Sequence, residues 1–144
     1  MTVIVWDGKT LAADRRVSHG STIGCPTVKL HRVDDGIIGL SGGTSDVAEF
    51  LNWYRKGADF EKFPAHLRTD NNSFLALLVR KGGVYMFSSS PFPSLCAGRY
   101  VAIGCGMEAA LAALECGKDA LGAVVIASRV NSGCGDGADI MLPE

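Results

Sequence analysis

Two glycine-rich turns, each between a predicted strand and a predicted helix, constrain the fold of this chain most. In the first block, residues 37–40 lead through Gly42-Gly43 into a segment whose apolar residues recur at helical spacing. In the second block, residues 100–103 lead through Gly104-Cys105-Gly106 into an alanine-rich helix over 108–116. Short strands that feed helices in this way predict an α+β fold, in which helices cover antiparallel sheets.

The remaining elements follow from alternating and β-branched stretches. An Asp7-Gly8 turn separates strands predicted over 2–6 and 10–13, and a third helix is predicted from Asp119 to about residue 129. Further strands are predicted over 28–33, 73–80, 84–87 and 138–141. Residues 14–26 and 88–98 are predicted to be loops, and residues 58–72 show no clear period. Thr44, Ser45 or Asp46 is expected to cap the first helix.

Composition limits the classes of protein that this chain can be. Its 144 residues predict a single domain over 1–144, and a net charge of −1 argues against nucleic-acid and membrane partners. The five cysteines are odd in number and form no C-x-x-C pair, which favours reduced thiols in the cytoplasm. The amino terminus resembles no secretory signal.

Two glycine motifs suggest other enzymes but lack their required companions. Residues 39–43 match G-x-S-x-G, yet a serine hydrolase also needs a later acid and histidine, and the only later histidine is His66. Residues 104–109 match the dinucleotide pattern G-x-G-x-x-A, but residues 123–130 form a predicted helix without an acid. Both motifs are better explained as turns of small residues.

Metal and thiol chemistry has weaker support. The spacing of His19, Cys25 and His31 matches no common metal site, so we expect neither a metal nor a cofactor. Cys105 precedes a predicted helix, where a thiolate is favoured, so it could be reactive. A small buried apolar side chain is the more frequent role of such a cysteine.

One set of residues points to hydrolysis. Removal of Met1, which a small second residue permits, would give Thr2 both a hydroxyl nucleophile and an α-amine that titrates at about 7.7–8.0. Such a site needs a cation, a carboxylate that holds the cation, and backbone amides for an oxyanion. Lys29, Asp14 and Gly42-Gly43 stand in suitable order, although Asp14 could instead cap a turn and Lys29 could be a solvated strand residue.

With these residues the chain resembles the N-terminal-nucleophile (Ntn) hydrolases of the proteasome β-subunit and bacterial HslV type. The resemblance extends over nearly the whole length, and the short length is similar to phage- or prophage-encoded forms. The motifs that carry it, in order, are Thr2-Val-Ile-Val, Asp7-Gly8, Leu11-Ala-Ala-Asp14, Lys29-Leu-His-Arg-Val33, Gly39-Leu-Ser-Gly-Gly-Thr-Ser-Asp46, Arg68-Thr-Asp70, the hairpin over 75–87, and Val101-Ala-Ile-Gly-Cys-Gly106.

The resemblance implies a four-layer αββα sandwich that assembles into homo-oligomeric rings and hydrolyses peptides or unfolded proteins, with an ATPase partner left open. It implies that Thr2 is the nucleophile, that Asp14 and Lys29 tune its amine, and that the Gly42-Gly43 turn holds the oxyanion. Cys105 stands where the family has a serine. Ser132-Gly133 matches the acid-x-x-Ser-Gly pattern, but Arg129 occupies the acid position.

Two other functions remain open. One is a catalytically silent subunit with a structural or regulatory role, and the other is an Ntn hydrolase that acts on a non-peptide amide. The state of the amino terminus separates the silent subunit from the peptidase, because Thr2 has no free amine while Met1 is attached. Replacement of Lys29 by Ala is expected to abolish hydrolysis and leave the fold intact.

Overall fold

The chain folds into four layers in the order helix, sheet, sheet, helices. The computed structural model describes residues 1–69 and 73–144. The first sheet has the strand order β10-β1-β2-β11 and is antiparallel throughout. Its strands are β1 (Ile4–Trp6), β2 (Leu11–Asp14), β10 (Val101–Ile103) and β11 (Ala138–Met141). The four-layer α+β architecture expected from the sequence is confirmed.

The second sheet has the order β5-β6-β7-β8-β9 and is also antiparallel. Its strands are β5 (Leu30–Val33), β6 (Gly36–Ser41), β7 (Leu75–Arg80), β8 (Gly83–Phe87) and β9 (Ser94–Leu95). The β6–β7 pairing is the longest, with Gly36 opposite Arg80 and Ser41 opposite Leu75. This frame carries Lys29 at the start of β5 and the Gly42-Gly43 turn at the end of β6.

Apolar side chains fill each of the three spaces between the layers. Ile4 and Leu11 of the first sheet meet Ile37 and Leu77 of the second sheet. The outer face of the first sheet packs against helices α2 (Met107–Glu115) and α3 (Ala120–Val130). The outer face of the second sheet packs against helix α1 (Thr44–Arg55) through an aromatic cluster centred on Phe50. Successive strand residues point to opposite faces, so Ile37 and Ile38 lie in different spaces.

The observed helix boundaries agree with those predicted from the sequence to within a few residues, but the N-cap of α1 differs from the prediction. Gly43 is the N-cap of α1 and makes no side-chain hydrogen bond, so the expected capping by Thr44, Ser45 or Asp46 is wrong. Asp119 does cap α3, because its side chain accepts a hydrogen bond from the Gly122 amide. No helix in the described residues has the length and apolar character needed to cross a membrane.

Three segments without a clear pattern differ from expectation in part. The predicted loop over 14–26 contains a small hairpin of β3 (Ser18–His19) and β4 (Thr22–Ile23), and the predicted loop over 88–98 contains β9. A strand of two residues is too short to show the alternation of apolar and polar residues by which strands are recognised in a sequence. Within 58–69 the chain forms two short 3₁₀ turns, Phe60–Lys62 and Ala65–Arg68. Asp70 of the family-like motif lies outside the described residues.

Candidate active site

Asp14 ends β2 and is the most heavily bonded side chain of the candidate site. It is fully buried. Its Oδ1 accepts hydrogen bonds from the Val3 amide at 3.0 Å and from Lys29 Nζ at 2.8 Å. Its Oδ2 accepts from the amides of Arg16 at 3.2 Å and Gly135 at 3.1 Å. Four donors, one of them charged, suit an ionised carboxylate. The carboxylate thereby joins β1, β2 and the segment before β11.

Lys29 lies directly before β5 and is only 5% exposed. Its Nζ donates to Asp14 Oδ1 at 2.8 Å, to the Arg16 carbonyl at 2.8 Å and to the Met1 carbonyl at 3.1 Å. An ammonium has three donors, so all of them are used. The alternative of a solvated strand lysine is therefore wrong, because backbone and side chain are both enclosed.

Thr2 is held against the second glycine turn and is 5% exposed. Its carbonyl accepts the Gly106 amide at 3.2 Å, and its hydroxyl donates to the Met1 carbonyl at 2.7 Å. At Gly104, where φ is +96°, a Cβ would lie 2.1 Å from the Thr2 carbonyl oxygen. Only glycine allows the chain to approach Thr2 this closely.

The Met1 carbonyl lies at the centre of this arrangement. It accepts hydrogen bonds from both Lys29 Nζ and Thr2 Oγ. Because the O and N atoms of one amide are about 2.3 Å apart and Lys29 Nζ lies 3.1 Å from the Met1 carbonyl oxygen, Lys29 Nζ lies no more than about 5.4 Å from the Thr2 nitrogen. The structure thus places a buried cation next to the bond between Met1 and Thr2.

The Gly42-Gly43 turn is exposed and follows β6. The Leu40 amide donates to the Lys29 carbonyl at 3.0 Å, which places the turn beside the start of β5. At Gly42, φ is +140° and a Cβ would lie 3.1 Å from Phe74 Cα, so the position requires glycine. The turn lies at the edge of the site, and neither glycine takes part in the hydrogen bonds that Asp14 and Lys29 make.

Cys105 and Ser132 are near the site but differ from the expected roles of their side chains. Cys105 is exposed rather than a buried apolar residue, and its carbonyl accepts from Asn131 Nδ2 at 2.9 Å. Its Sγ lies 3.7 Å from both Asn131 Oδ1 and Cys134 Sγ. Ser132 is exposed, and its carbonyl rather than its hydroxyl is tied to the site, by Arg16 Nη1 at 2.9 Å.

Three residues that support the site carry no recognisable signal in the sequence. Arg16 donates its amide to Asp14, accepts from Lys29 through its carbonyl, and pairs with Asp136 at 3.1 Å. Asn131 fixes the turn before Gly133 by accepting that amide at 2.8 Å. Gly135 supplies the fourth donor to Asp14. Arg16 looks like its neighbour Arg15 in the sequence, and only the three-dimensional pairing distinguishes them.

Residues 1–69 and 73–144, which the structure describes, include His19, Cys25 and His31, the metal-ligand candidates from the sequence. No group of three or more His, Cys, Asp or Glu side chains there could hold a metal ion. His19 and Cys25, two of the three candidates considered from sequence, are exposed.

Comparison with known proteins identifies the fold through structure rather than sequence. No protein-family model matches the chain, and no curated protein is detectably similar in sequence. Eukaryotic HslV from Trypanosoma brucei is 24% identical, with a TM-score of 0.67 over 97% of both chains. Thiobacillus denitrificans BPH in complex with epoxomicin is 16% identical, with a TM-score of 0.74 over 100% of both chains. A second BPH structure has a TM-score of 0.68 at 16% identity, over 99% of this chain and 98% of that one.

Proposed function

We propose that this chain is a threonine peptidase with Thr2 as its nucleophile. The proposal starts from its fold, which is the Ntn-hydrolase fold of the HslV and proteasome type. The observation that carries the proposal is the position of Lys29. Its buried ammonium binds Asp14 and also contacts the carbonyl that precedes the Thr2 nitrogen. Removal of Met1 exposes an amine at that position.

The charge on Lys29 gives the Thr2 amine its catalytic state. A positive charge within about 4–6 Å disfavours protonation of a second amine, so the pKa of the Thr2 amine falls below its ordinary value. A larger fraction of that amine is then neutral near pH 7 and able to accept a proton. Asp14 keeps Lys29 in place and balances its charge.

Hydrolysis follows in two steps on this arrangement. Thr2 Oγ attacks the peptide carbonyl while its proton moves to the Thr2 amine, and the leaving amine takes that proton as the carbon–nitrogen bond breaks. Water, deprotonated by the same amine, then hydrolyses the resulting ester. We assign oxyanion stabilisation to the exposed amides of the Gly42-Gly43 turn. Cys105 and Ser132 take no step of their own: Cys105 precedes Gly106, whose amide donates to the Thr2 carbonyl, and Ser132 accepts from Arg16 Nη1 through its carbonyl.

We further propose that the active form is a single-domain subunit of a homo-oligomeric ring in the cytoplasm. Helix α3 supports assembly, because Leu121, Val125 and Val130 are 41%, 40% and 70% exposed. Exposed apolar side chains on one element favour burial against another copy. Light scattering that finds only a 15.2 kDa monomer at micromolar concentration would argue against the ring.

A silent structural subunit is the second candidate, and it corresponds to a form of the protein in which Met1 remains attached to Thr2. In such a form the Met1 side chain is 66% exposed and lies against Gly133, where an added Cβ would meet Met1 Sδ at 2.4 Å. With Met1 retained, the Thr2 nitrogen is an amide and the Lys29 donors are saturated. This form has no base for the reaction.

Cleavage of a fluorogenic peptide by matched forms, each checked by intact mass for its first residue, tests the proposal. The form that begins at Thr2 should be active, and Thr2→Ser should keep part of the activity, because the chemistry needs only a hydroxyl. Thr2→Ala and a form that retains Met1 should both be inactive. Epoxomicin, which BPH binds, should raise the melting temperature of the Thr2-terminated form but not of the Met1-retaining form.

Four results would change the conclusion. Activity that survives in Thr2→Ala would refute the threonine mechanism, and loss of activity in Cys105→Ala alone would point to a thiol nucleophile. Inactivity of a form with a verified Thr2 terminus would favour the silent subunit. Cleavage of small amides but of no peptide would favour the non-peptide amidohydrolase.

A further inference from the structure

Cys105 and Cys134 form a pair of thiols that the proposed hydrolysis does not use. Their sulfur atoms lie 3.7 Å apart, although 28 residues separate them in the chain. Cys105 is exposed in the turn between β10 and α2, whereas Cys134 is fully buried between α3 and β1. A solvent-facing thiol in contact with a buried one is the arrangement of a dithiol that can be oxidised from solution.

The two thiols are carried by the segments that hold the candidate site together. The residue after Cys105, Gly106, donates its amide to the Thr2 carbonyl at 3.2 Å. The residue after Cys134, Gly135, donates its amide to Asp14 Oδ2 at 3.1 Å. Each cysteine is therefore one residue from a hydrogen bond to the nucleophile or to the carboxylate.

We propose that Cys105 and Cys134 form a reversible disulfide when the protein meets a hydroperoxide, and that this oxidation inactivates the site. Disulfides in reducing compartments are characteristically transient and redox-sensing. The part of the proposal that concerns inactivation rests on the proposed peptidase function, whereas formation of the disulfide does not.

The oxidation balances with the hydroperoxide as the only oxidant. The Cys105 thiolate attacks the O–O bond, which gives a sulfenic acid on Cys105 and releases an alcohol, or water from hydrogen peroxide. Cys134 sulfur then bonds to Cys105 sulfur, and the sulfenic hydroxyl leaves as water with the Cys134 proton. Burial raises the pKa of the Cys134 thiol, which supports Cys105 as the thiol that meets the oxidant. A reduced dithiol reverses the reaction and is itself oxidised.

Inactivation follows from the distance that the sulfurs must travel. A disulfide needs them about 2.05 Å apart, so the 3.7 Å contact must close by more than an ångström. The closing movement pulls the Gly104–Gly106 turn towards the segment over 133–135. A Cβ at Gly106 would already lie 2.8 Å from Cys134 Sγ, so little free space absorbs the movement. Shifts of this size at a catalytic group cost roughly 10²-fold in rate.

Peptide mapping under non-reducing conditions tests the pair without any activity measurement. After treatment with hydrogen peroxide, we expect a linked Cys105–Cys134 peptide, an intact mass lower by about 2 Da, and recovery with dithiothreitol. Peptide cleavage by the Thr2-terminated form should fall roughly 10²-fold and recover with the same reductant. Cys116→Ser, which removes another exposed cysteine, should behave as wild type. Cys134→Ser should give no linked peptide, and Cys105 should be oxidised further instead.

The outcomes separate this proposal from the proposed function. Direct conversion of Cys105 to sulfinic acid in the wild type, or linkage of either cysteine to Cys25 or Cys116 instead, would overturn it. A disulfide that forms while cleavage stays unchanged would overturn the inactivation. A disulfide that forms in a Thr2-terminated protein without any peptidase activity supports the dithiol pair and counts against the peptidase.

Discussion

Replacement of Lys29 by Met should lower the stability of the protein as well as its activity. Lys29 and Asp14 form a buried ion pair at 2.8 Å, with exposed fractions of 5% and 0%. From the sequence alone, Lys29→Ala is predicted to leave the fold intact, because a strand lysine beside a cleft is not part of the core. In the structure, removal of Lys29 leaves the Asp14 carboxylate buried without its charged partner.

The structure sets the size of the effect. Breaking a buried ion pair by removing one partner costs about 3–5 kcal/mol of the free energy of unfolding. Lys29→Met should lie near the lower end of that range, because three backbone amides still donate to Asp14. Asp14→Asn should lie nearer the upper end, because the buried Lys29 ammonium loses its counter-charge and the new side-chain NH2 group would face the Arg16 and Gly135 amides, which need an acceptor.

Urea unfolding of four proteins measures this energy. The wild type, Lys29→Met, Asp14→Asn and the double variant form a cycle, in which the double variant should lose about 1–3 kcal/mol less than the two single losses combined. Arg32→Met is the matched control, because Arg32 pairs with Glu144 at 3.9 Å where the two side chains are 51% and 88% exposed. That control should change stability by less than about 1 kcal/mol.

Equal, small losses would refute this reasoning. If Lys29→Met and Arg32→Met both cost less than about 1 kcal/mol, the Asp14–Lys29 pair behaves as a solvated surface pair. Additive losses in the cycle would mean that the two side chains act independently. Intact mass must first show the same amino terminus in every variant, because Lys29 contacts Met1.

Two further predictions concern the frame around the site. Gly104→Ala should lower the free energy of unfolding by about 4 kcal/mol or more, because its Cβ would lie 2.1 Å from the Thr2 carbonyl oxygen. Gly117→Ala is the control, since Gly117 has a similar φ but open space around it, and it should cost about 1–2 kcal/mol. Thermal or urea unfolding measures both losses. Burial and the hydrogen bond to Asp35 raise the pKa of Tyr54 to about 12. Because unfolded tyrosine ionises near pH 10, the unfolded state loses its proton first, so stability that is present below about pH 10 should decline as the pH rises towards 12. Tyr54→Phe should remove this part of the decline, and an unchanged profile would show that Tyr54 is not its source.

The sequence predicted the helices because each buries one face, and it predicted the longer strands because they are short apolar runs that are buried on both faces. Leu30 packs between the sheets and Val33 against the opposite core, as alternation predicts, and the residues at helical spacing around Phe50 pack beneath α1. Val28 was predicted on the Leu30 face but precedes β5 and is 52% exposed. The hairpin over 18–23 escaped because two-residue strands carry no periodic signal. The N-cap of α1 was not predicted, because the chain enters the helix from an extended Gly43 and the nearby hydroxyl side chains do not cap the helix.

The candidate site was only partly accessible from sequence. Thr2, Asp14 and Lys29 were recognisable because the proposed chemistry needs a nucleophile, an acid and a cation in that order. Arg16, Asn131 and Gly135 act through hydrogen bonds to or from backbone groups. Arg16 and Gly135 also bind partners more than 100 residues away in the chain. The contact between Cys105 and Cys134 likewise depends on packing of the first sheet against α3, which no local pattern specifies.

The four hydrogen bonds to Asp14 bear on how relatives of this protein should be interpreted. Because Asp14 and Lys29 join four separate segments of the chain, selection for folding alone would preserve them in a lineage that has lost catalysis. Position 2 carries no such structural duty beyond a small enclosed side chain. We therefore expect silent descendants to keep the aspartate and the lysine and to diverge at the threonine, so the residue at position 2 is the better marker of activity.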